Sequence, residues 1–151
     1  MENEDIVVTA IDISDEALHV ARVNAGRFEV EDEIRFIRSD LFEAVGKDER
    51  FDIISSNPPY ISDSEYEGVE PEVKADPRLA MLAGPKGLDI INRLLAEAPD
   101  YLTRPGYLMF EIGFDQSQEI FKIVQSDGRY SDCSLLKDLS DIDRVVICKV
   151  S

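Results

Sequence analysis

The sequence has 151 residues, of which 44% are hydrophobic and 32% are charged, and these values suit one soluble globular domain. No apolar run approaches the roughly 18 residues of a membrane-spanning helix, and the acidic first five residues do not resemble a signal peptide. The net charge of −16 repels phosphate backbones and argues against nonspecific nucleic-acid binding, although acidity also serves simply to keep a protein soluble.

The first third of the chain predicts strands that alternate with a helix, as in a doubly wound α/β sheet. A β-branched run at residues 6–11 ends at Asp12, and Ser14 is placed to cap a helix with acids in its first turn. Residues 34–38 and 51–56 predict the next two strands.

The rest of the chain continues the pattern after a long polar loop at residues 61–87, and a loop of this length in a compact domain is usually functional or mobile. Arg104-Pro105-Gly106 is expected to turn the chain. The last two strands have no helix between them and are expected to pair as an antiparallel hairpin. The predicted elements are a helix at 88–101, a strand at 107–113, a helix at 116–126, and strands at 131–136 and 144–150.

The two cysteines favour a reducing, cytoplasmic location. Cys133 and Cys148 are too few for a disulfide framework and lack metal-ligand spacing, so we expect neither a structural disulfide nor a metal site. Because both fall in the last two predicted strands, they can still be neighbours in space.

The most informative segment is Asn57-Pro58-Pro59-Tyr60, which directly follows a predicted strand. Asn and Pro are common in turns, so the segment could serve only to close the strand. That explanation accounts for the prolines but not for this combination of four residues. Ligands of open α/β sheets bind beyond the carboxyl ends of strands, and we therefore expect Asn57, Pro58, Pro59 and Tyr60 to form the catalytic segment.

These residue types suit methyl transfer to a planar amide or amino nitrogen, whose delocalised lone pair makes it a poor nucleophile. The side-chain carbonyl of Asn57 and the backbone carbonyl of Pro58, whose ring fixes φ, can accept its two N–H bonds. Such acceptors orient the nitrogen and favour the positive charge that develops on it. Tyr60 can pack against the planar group, and the scheme requires no general base.

Acidic residues at two other strand ends indicate a nucleotide-like cofactor. Asp12, followed by Ile13, stands where an acid hydrogen-bonds ribose hydroxyls in nucleotide-binding sheets. Asp40, followed by Leu41, can read an adenine amino group. Each acid alone is equally compatible with a surface turn or a helix cap. Glu111 lies in an apolar strand and either serves the site or faces outward.

These segments together resemble the HemK-type (PrmC) release factor glutamine methyltransferases over essentially the whole chain. The Asn-Pro-Pro-Tyr motif alone is shared with adenine- and guanine-amino methyltransferases of DNA and RNA. Pro77-Arg78-Leu79-Ala80 and Glu111-Ile112-Gly113 point more narrowly to the glutamine enzymes. The other matching segments are residues 10–14, 38–42, 51–52, 87–89, 137–139 and 143–146.

The resemblance implies a Rossmann-like, seven-stranded methyltransferase sheet with an antiparallel last strand, and S-adenosylmethionine as the cofactor. It implies that Asp12 binds the ribose and that Asp40 and Leu41 flank the adenine. It also implies that Asn57 and Pro58 hold a glutamine amide in the Gly-Gly-Gln loop of a release factor. We count Ile13 and Asn57 among the expected cofactor contacts as well.

The sequence departs from this family in having no Gly-rich loop, and Asp12 leaves no room for one before it. Residues 1–151 are therefore expected to be a partial catalytic domain without its central first strand, and the open strand edges would favour a swapped or edge-paired dimer. We expect this chain alone to bind S-adenosylmethionine weakly or not at all. The alternatives are a DNA or RNA amino-group methyltransferase and a noncatalytic methyltransferase remnant.

Overall fold

The computed structural model describes residues 6–68 and 77–151, and the chain divides between Lys47 and Asp48 into two compact units. Among the residues that the structure describes, every helix is too short or too polar to cross a bilayer.

The N-terminal unit is a βαβ arrangement. Strands β1 (Val8–Asp12) and β2 (Ile34–Arg38) pair in parallel, and helix α1 (Asp15–Arg27) connects them. The hydroxyl of Ser14 accepts a hydrogen bond from the N–H of Ala17 at 3.2 Å and so caps the helix. Both predicted strands and the predicted cap are confirmed.

The C-terminal unit is built on a mixed four-stranded sheet in the order β3-β4-β6-β5. Strands β3 and β4 run parallel, whereas β6 lies antiparallel to both β4 and β5. The predicted antiparallel last strand and the final hairpin are therefore confirmed. The four strands are β3 (Phe51–Ser56), β4 (Leu102–Glu111), β5 (Tyr130–Lys137) and β6 (Asp143–Val150).

The described residues of the same unit include three helices: α2 (Asp63–Tyr66), α3 (Asp89–Glu97) and α4 (Ser117–Ser126). Short 3-10 turns cover Arg78–Ala80 and Ala98–Asp100. The two longer helices confirm the predicted ones, and each buries the side chains that recur at helical spacing. The largest fully buried side chains are Ile91, Leu94, Leu95, Leu108, Phe110, Ile112, Ile120, Val146, Cys148 and Val150.

The prediction of a turn at Arg104-Pro105-Gly106 is wrong. These residues lie inside β4, which already begins at Leu102 and ends at Glu111. The pairing with β3 shifts between its first and second partners, so the additional residues form a bulge. A bulge tolerates a proline, which cannot donate a hydrogen bond to the neighbouring strand. The residues that are typical of a turn therefore fit into an irregular strand.

The segment at 61–87 is more ordered than a loop prediction implies. The hydroxyl of Ser62 and the carboxylate of Glu65 form a capping box at α2. Ile61 forms a parallel bridge with Leu82, and the N–H of Ile61 donates to the carbonyl of Met81 at 2.9 Å. Residues 69–76 of the predicted loop lie outside the described residues.

The described residues form six strands in two separate sheets instead of one sheet of seven. Strand β1 pairs only with β2, and β3 pairs only with β4. Within the described residues, β1 and β3 therefore each have one strand neighbour.

The two cysteines face each other across the final hairpin. Cys133 of β5 is the direct partner of Cys148 in β6, and both are free thiols. The prediction that they are neighbours is confirmed.

Candidate functional site

The Asn-Pro-Pro-Tyr segment leaves the sheet at the carboxyl end of β3, as predicted. The ladder cannot continue because Pro58 and Pro59 have no N–H. Pro58 is buried, whereas Asn57 is exposed. Within residues 6–68 and 77–151, neither the Asn57 side chain nor the Pro58 carbonyl takes part in a hydrogen bond. The exposed Asn57 side chain is therefore available to a ligand, and the Pro58 carbonyl has no hydrogen-bond partner within the described residues.

Tyr60 is held from two sides. Its hydroxyl donates to Oε1 of Glu111 at 2.8 Å, and its carbonyl accepts from Nε2 of Gln116 at 2.9 Å. Burial and the hydrogen bond to Glu111 raise the pKa of Tyr60 above its ordinary value. The phenol is therefore protonated at neutral pH and remains a donor.

Glu111 is thus neither a buried unpaired acid nor an outward-facing residue. It lies half-buried at the end of β4. Its carboxylate fixes the Tyr60 ring, and this connects two segments that the sequence had singled out separately.

Gln116 is a site residue that the sequence reasoning missed. Its side chain is 7% exposed, and its amide makes three hydrogen bonds. Nε2 donates to the carbonyls of Tyr60 and Gly87 at 2.9 and 3.0 Å, and Oε1 accepts from the N–H of Gly113 at 2.8 Å. The sequence did offer one signal for this role. Gln116 is a neutral polar residue at the predicted start of an amphipathic helix, three positions after Gly113.

Two glycines shape the turn that leads into α3, in which the N–H of Gly87 donates to the carbonyl of Gly84 at 3.1 Å. Gly84 and Gly87 have positive φ values of 79° and 67°, a conformation that L side chains rarely adopt. A Cβ at Gly87 would also collide with the Tyr60 carbonyl and with Nε2 of Gln116. A side chain at this position is therefore incompatible with the observed packing.

A cleft of about 210 Å³ opens beside Tyr60. It is smaller than the roughly 300 Å³ of a typical small-molecule pocket. Arg144 stands in its wall and donates to the carboxylate of Asp138 at 3.2 Å and to the carbonyl of Ile112 at 3.3 Å. The other lining residues are Ile61, Glu65, Gly113, Phe114 and Asp115.

The predicted cofactor acids lie together at the carboxyl ends of β1 and β2 in the N-terminal unit. Oδ1 of Asp12 accepts from the N–H of Ser14 at 2.8 Å, and the Asp12 carbonyl accepts from the N–H of Ser39 at 3.0 Å. Ile13 and Asp40 line an open cleft of about 560 Å³. Leu41, which follows Asp40, has a φ of 46°. Asn57 belongs to the other unit, and its contact with a cofactor stays a prediction.

Comparison with known proteins gives one family and several relatives. The model of the family described as "Methyltransferase small domain" matches residues 1–72. A release factor glutamine methyltransferase of Fusobacterium nucleatum is 41% identical over 94% of this chain and 40% of its own length. A ribosomal protein uL3 glutamine methyltransferase of Francisella tularensis is also 41% identical, over 75% of this chain and 36% of its own length. The chain thus spans half or less of the length of these two relatives.

Solved structures of methyltransferases share the fold. A methyltransferase from Pyrococcus furiosus has a TM-score of 0.66 and 22% identity, and the match covers 98% of this chain and 64% of that one. An O-methyltransferase from Bacillus cereus in complex with SAH has a TM-score of 0.62 and 10% identity, and the match covers 96% and 63% of the two chains. At these identities the likeness concerns the fold alone.

Proposed function

We propose that this chain belongs to a release factor glutamine methyltransferase, and that the protein transfers a methyl group from S-adenosylmethionine to the side-chain amide of a protein glutamine. Relatives of that name are 38–41% identical over more than nine tenths of this chain. The observation that carries this proposal is the pair of acceptors at Asn57 and Pro58. One is exposed, neither has an intramolecular partner within the described residues, and both leave the end of a parallel strand.

The two acceptors match the two N–H bonds of a primary amide. When the Asn57 side-chain oxygen and the Pro58 carbonyl accept these bonds, they fix the direction of the nitrogen lone pair. Their partial negative charges also favour the positive charge that builds on the nitrogen during transfer, because fixed dipoles need no reorganisation. Tyr60, held by Glu111 and Gln116, forms a rigid aromatic side to the same site.

S-adenosylmethionine supplies, when bound, an electrophilic methyl group on a sulfonium. The groups at the ends of β1 and β2 fit its adenosine part. Asp12 offers a carboxylate to ribose hydroxyls, and Asp40 offers an acceptor to the adenine amino group. Ile13 lines the same cleft as Asp40 and presents apolar surface suited to a base, and it is 49% exposed. Leu41 is the fourth residue that we assign to the cofactor.

We propose that the substrate is a glutamine of a release factor. The alternative protein substrate is a glutamine of ribosomal protein uL3. Relatives named for each substrate reach 41% identity to this chain. Nucleic-acid amino groups present the same donor geometry. The net charge of −16 opposes such substrates, because they carry phosphates.

We further propose that residues 1–151 form part of a class I methyltransferase catalytic domain. The proposal is supported by the short coverage of both relatives and by the division of the described strands into two separate sheets. An unpaired strand edge can accept a strand from another copy, so we propose that this chain pairs or exchanges strands in a dimer.

Methyl transfer from labelled S-adenosylmethionine tests the activity. The protein is expressed from its complete gene and given a release factor, uL3, or DNA and RNA oligomers, with Gln→Glu versions of the protein substrates as controls. We expect transfer to a glutamine of one protein substrate and none to its Glu version. Transfer to the oligomers alone would support the nucleic-acid alternative, and transfer to none would support a noncatalytic remnant.

A further inference from the structure

The amide of Gln116 joins three segments that are distant along the chain. It contacts the end of the Asn-Pro-Pro-Tyr segment at Tyr60, the turn at Gly87 and the loop after β4 at Gly113. All donors and acceptors in these contacts lie at 2.8 to 3.0 Å, so each is a well-formed hydrogen bond. A buried amide whose two N–H donors and carbonyl oxygen are all engaged has one preferred orientation, and it restricts the orientation of its partners.

The Asn-Pro-Pro-Tyr segment needs an anchor of this kind. Pro58 and Pro59 have no N–H, so the backbone of the segment cannot fix itself by the bonds that stabilise most turns. The carbonyl of Tyr60 is the acceptor nearest to the prolines that does receive a side-chain donor. The Tyr60 carbonyl belongs to the planar peptide unit between Tyr60 and Ile61, so this hydrogen bond fixes the direction in which the chain leaves the segment, while the rings of Pro58 and Pro59 fix φ at the two positions before Tyr60.

We infer that Gln116 is a positioning residue, which holds the Asn57 and Pro58 acceptors at the spacing that a primary amide requires. This inference rests on the proposed function. Gln116 acts through the Tyr60 carbonyl and does not touch the substrate. The two donor bonds to Tyr60 and Gly87 carry this role, whereas the acceptor bond from Gly113 serves the start of α4.

Two substitutions separate these roles. Gln116→Met has a similar length and loses all three bonds. Gln116→Glu keeps an acceptor for the N–H of Gly113 but has at most one donor, and none when it is ionised, so it loses at least one of the bonds to Tyr60 and Gly87. Gln118→Met is the matched control, because Gln118 is exposed on the same helix. The protein is expressed from its complete gene, and thermal melting establishes that each variant folds.

Two readouts decide the inference. The first is the NMR signal of the Tyr60 ring carbon that bears the hydroxyl, assigned with Tyr60→Phe. The second is the division of the kinetic effect between kcat and the KM for S-adenosylmethionine. For Gln116→Met and Gln116→Glu we expect a shifted Tyr60 signal and a kcat lower by on the order of a hundredfold, with that KM unchanged, because small displacements of reacting groups have effects of this size. Gln118→Met should match the wild type in both.

Three results would overturn the inference: an unmoved Tyr60 signal in folded Gln116→Met, wild-type kcat in Gln116→Glu, or an equal loss in the control. If the wild-type protein methylates no substrate, the proposed function fails. The Tyr60 signal then still decides whether Gln116 fixes the segment, because that readout does not depend on turnover.

Discussion

Replacing Gly87 by alanine should destabilise the C-terminal unit through two separate effects. At a φ of 67° an L-residue costs about 1–2 kcal/mol relative to a right-handed conformation. The new Cβ would also collide with the Tyr60 carbonyl and with Nε2 of Gln116. One of these is backbone and the other is buried, so relief requires a shift of the segment, at about 1–3 kcal/mol. We expect a total loss of roughly 2–5 kcal/mol in the free energy of unfolding.

Urea unfolding followed by circular dichroism measures this loss. With an m-value of about 2 kcal/mol per M, the midpoint should move down by roughly 1–2.5 M. Gly128→Ala is the matched control, since a Cβ there meets nothing within 4 Å and its φ is not positive. Its midpoint should stay the same or rise slightly, because alanine restricts the unfolded chain. If both variants unfold at the same urea concentration, the described junction of Gly87, Tyr60 and Gln116 is incorrect.

Three further results are expected. Glu111→Gln should lower the pKa of Tyr60 toward its ordinary value, because the carboxylate and burial together raise it, and an unchanged alkaline titration would disprove the Tyr60–Glu111 contact. The Cys148 thiol, which is 0% exposed, should resist alkylation until the protein unfolds, since the Cys133 contact and burial raise its pKa. The same contact lowers the pKa of the half-buried Cys133. The alkylating reagent should therefore modify Cys133 before Cys148, and mass spectrometry of the peptides shows the order. Calorimetric titration of the 151-residue chain with S-adenosylmethionine should show weak or no binding, because we propose that residues 1–151 hold only part of the cofactor site. Tight binding would refute that proposal.

Local patterns predicted most of the regular elements correctly. The strand at Ile34–Arg38 and the one at Phe51–Ser56 have the predicted boundaries, because β-branched and aromatic residues end at clear polar breaks. Ser14 fixed the start of α1 through a cap that depends only on its nearest neighbours.

The prediction failed where pairing with strands distant along the chain determines the local backbone structure. Arg104-Pro105-Gly106 has the composition of a turn, but pairing of the flanking residues with β3 and β6 keeps it within one bulged strand. The composition of the segment is the same in either structure, so only the strand partners distinguish them.

The segment that we propose to be catalytic stands out in the sequence, but the residues that support it do not. Asn57-Pro58-Pro59-Tyr60 is contiguous and therefore visible as a motif. The hydrogen bonds that hold Tyr60 come from Glu111 and Gln116, which lie 51 and 56 residues further along the chain. No periodic or local signal pairs residues across that distance.

Our central proposal is that the side-chain oxygen of Asn57 accepts a hydrogen bond from the substrate amide. Its most direct test is methylation of the substrate glutamine by the wild-type protein and by Asn57→Ala, both from the complete gene, with the site read by mass spectrometry. The Asn57 side chain is exposed and has no partner within the described residues, so the variant should melt like the wild type. Its transfer rate should fall by about a hundredfold or more, as when one preorganised polar contact is removed. Wild-type transfer by a folded Asn57→Ala protein would contradict the account.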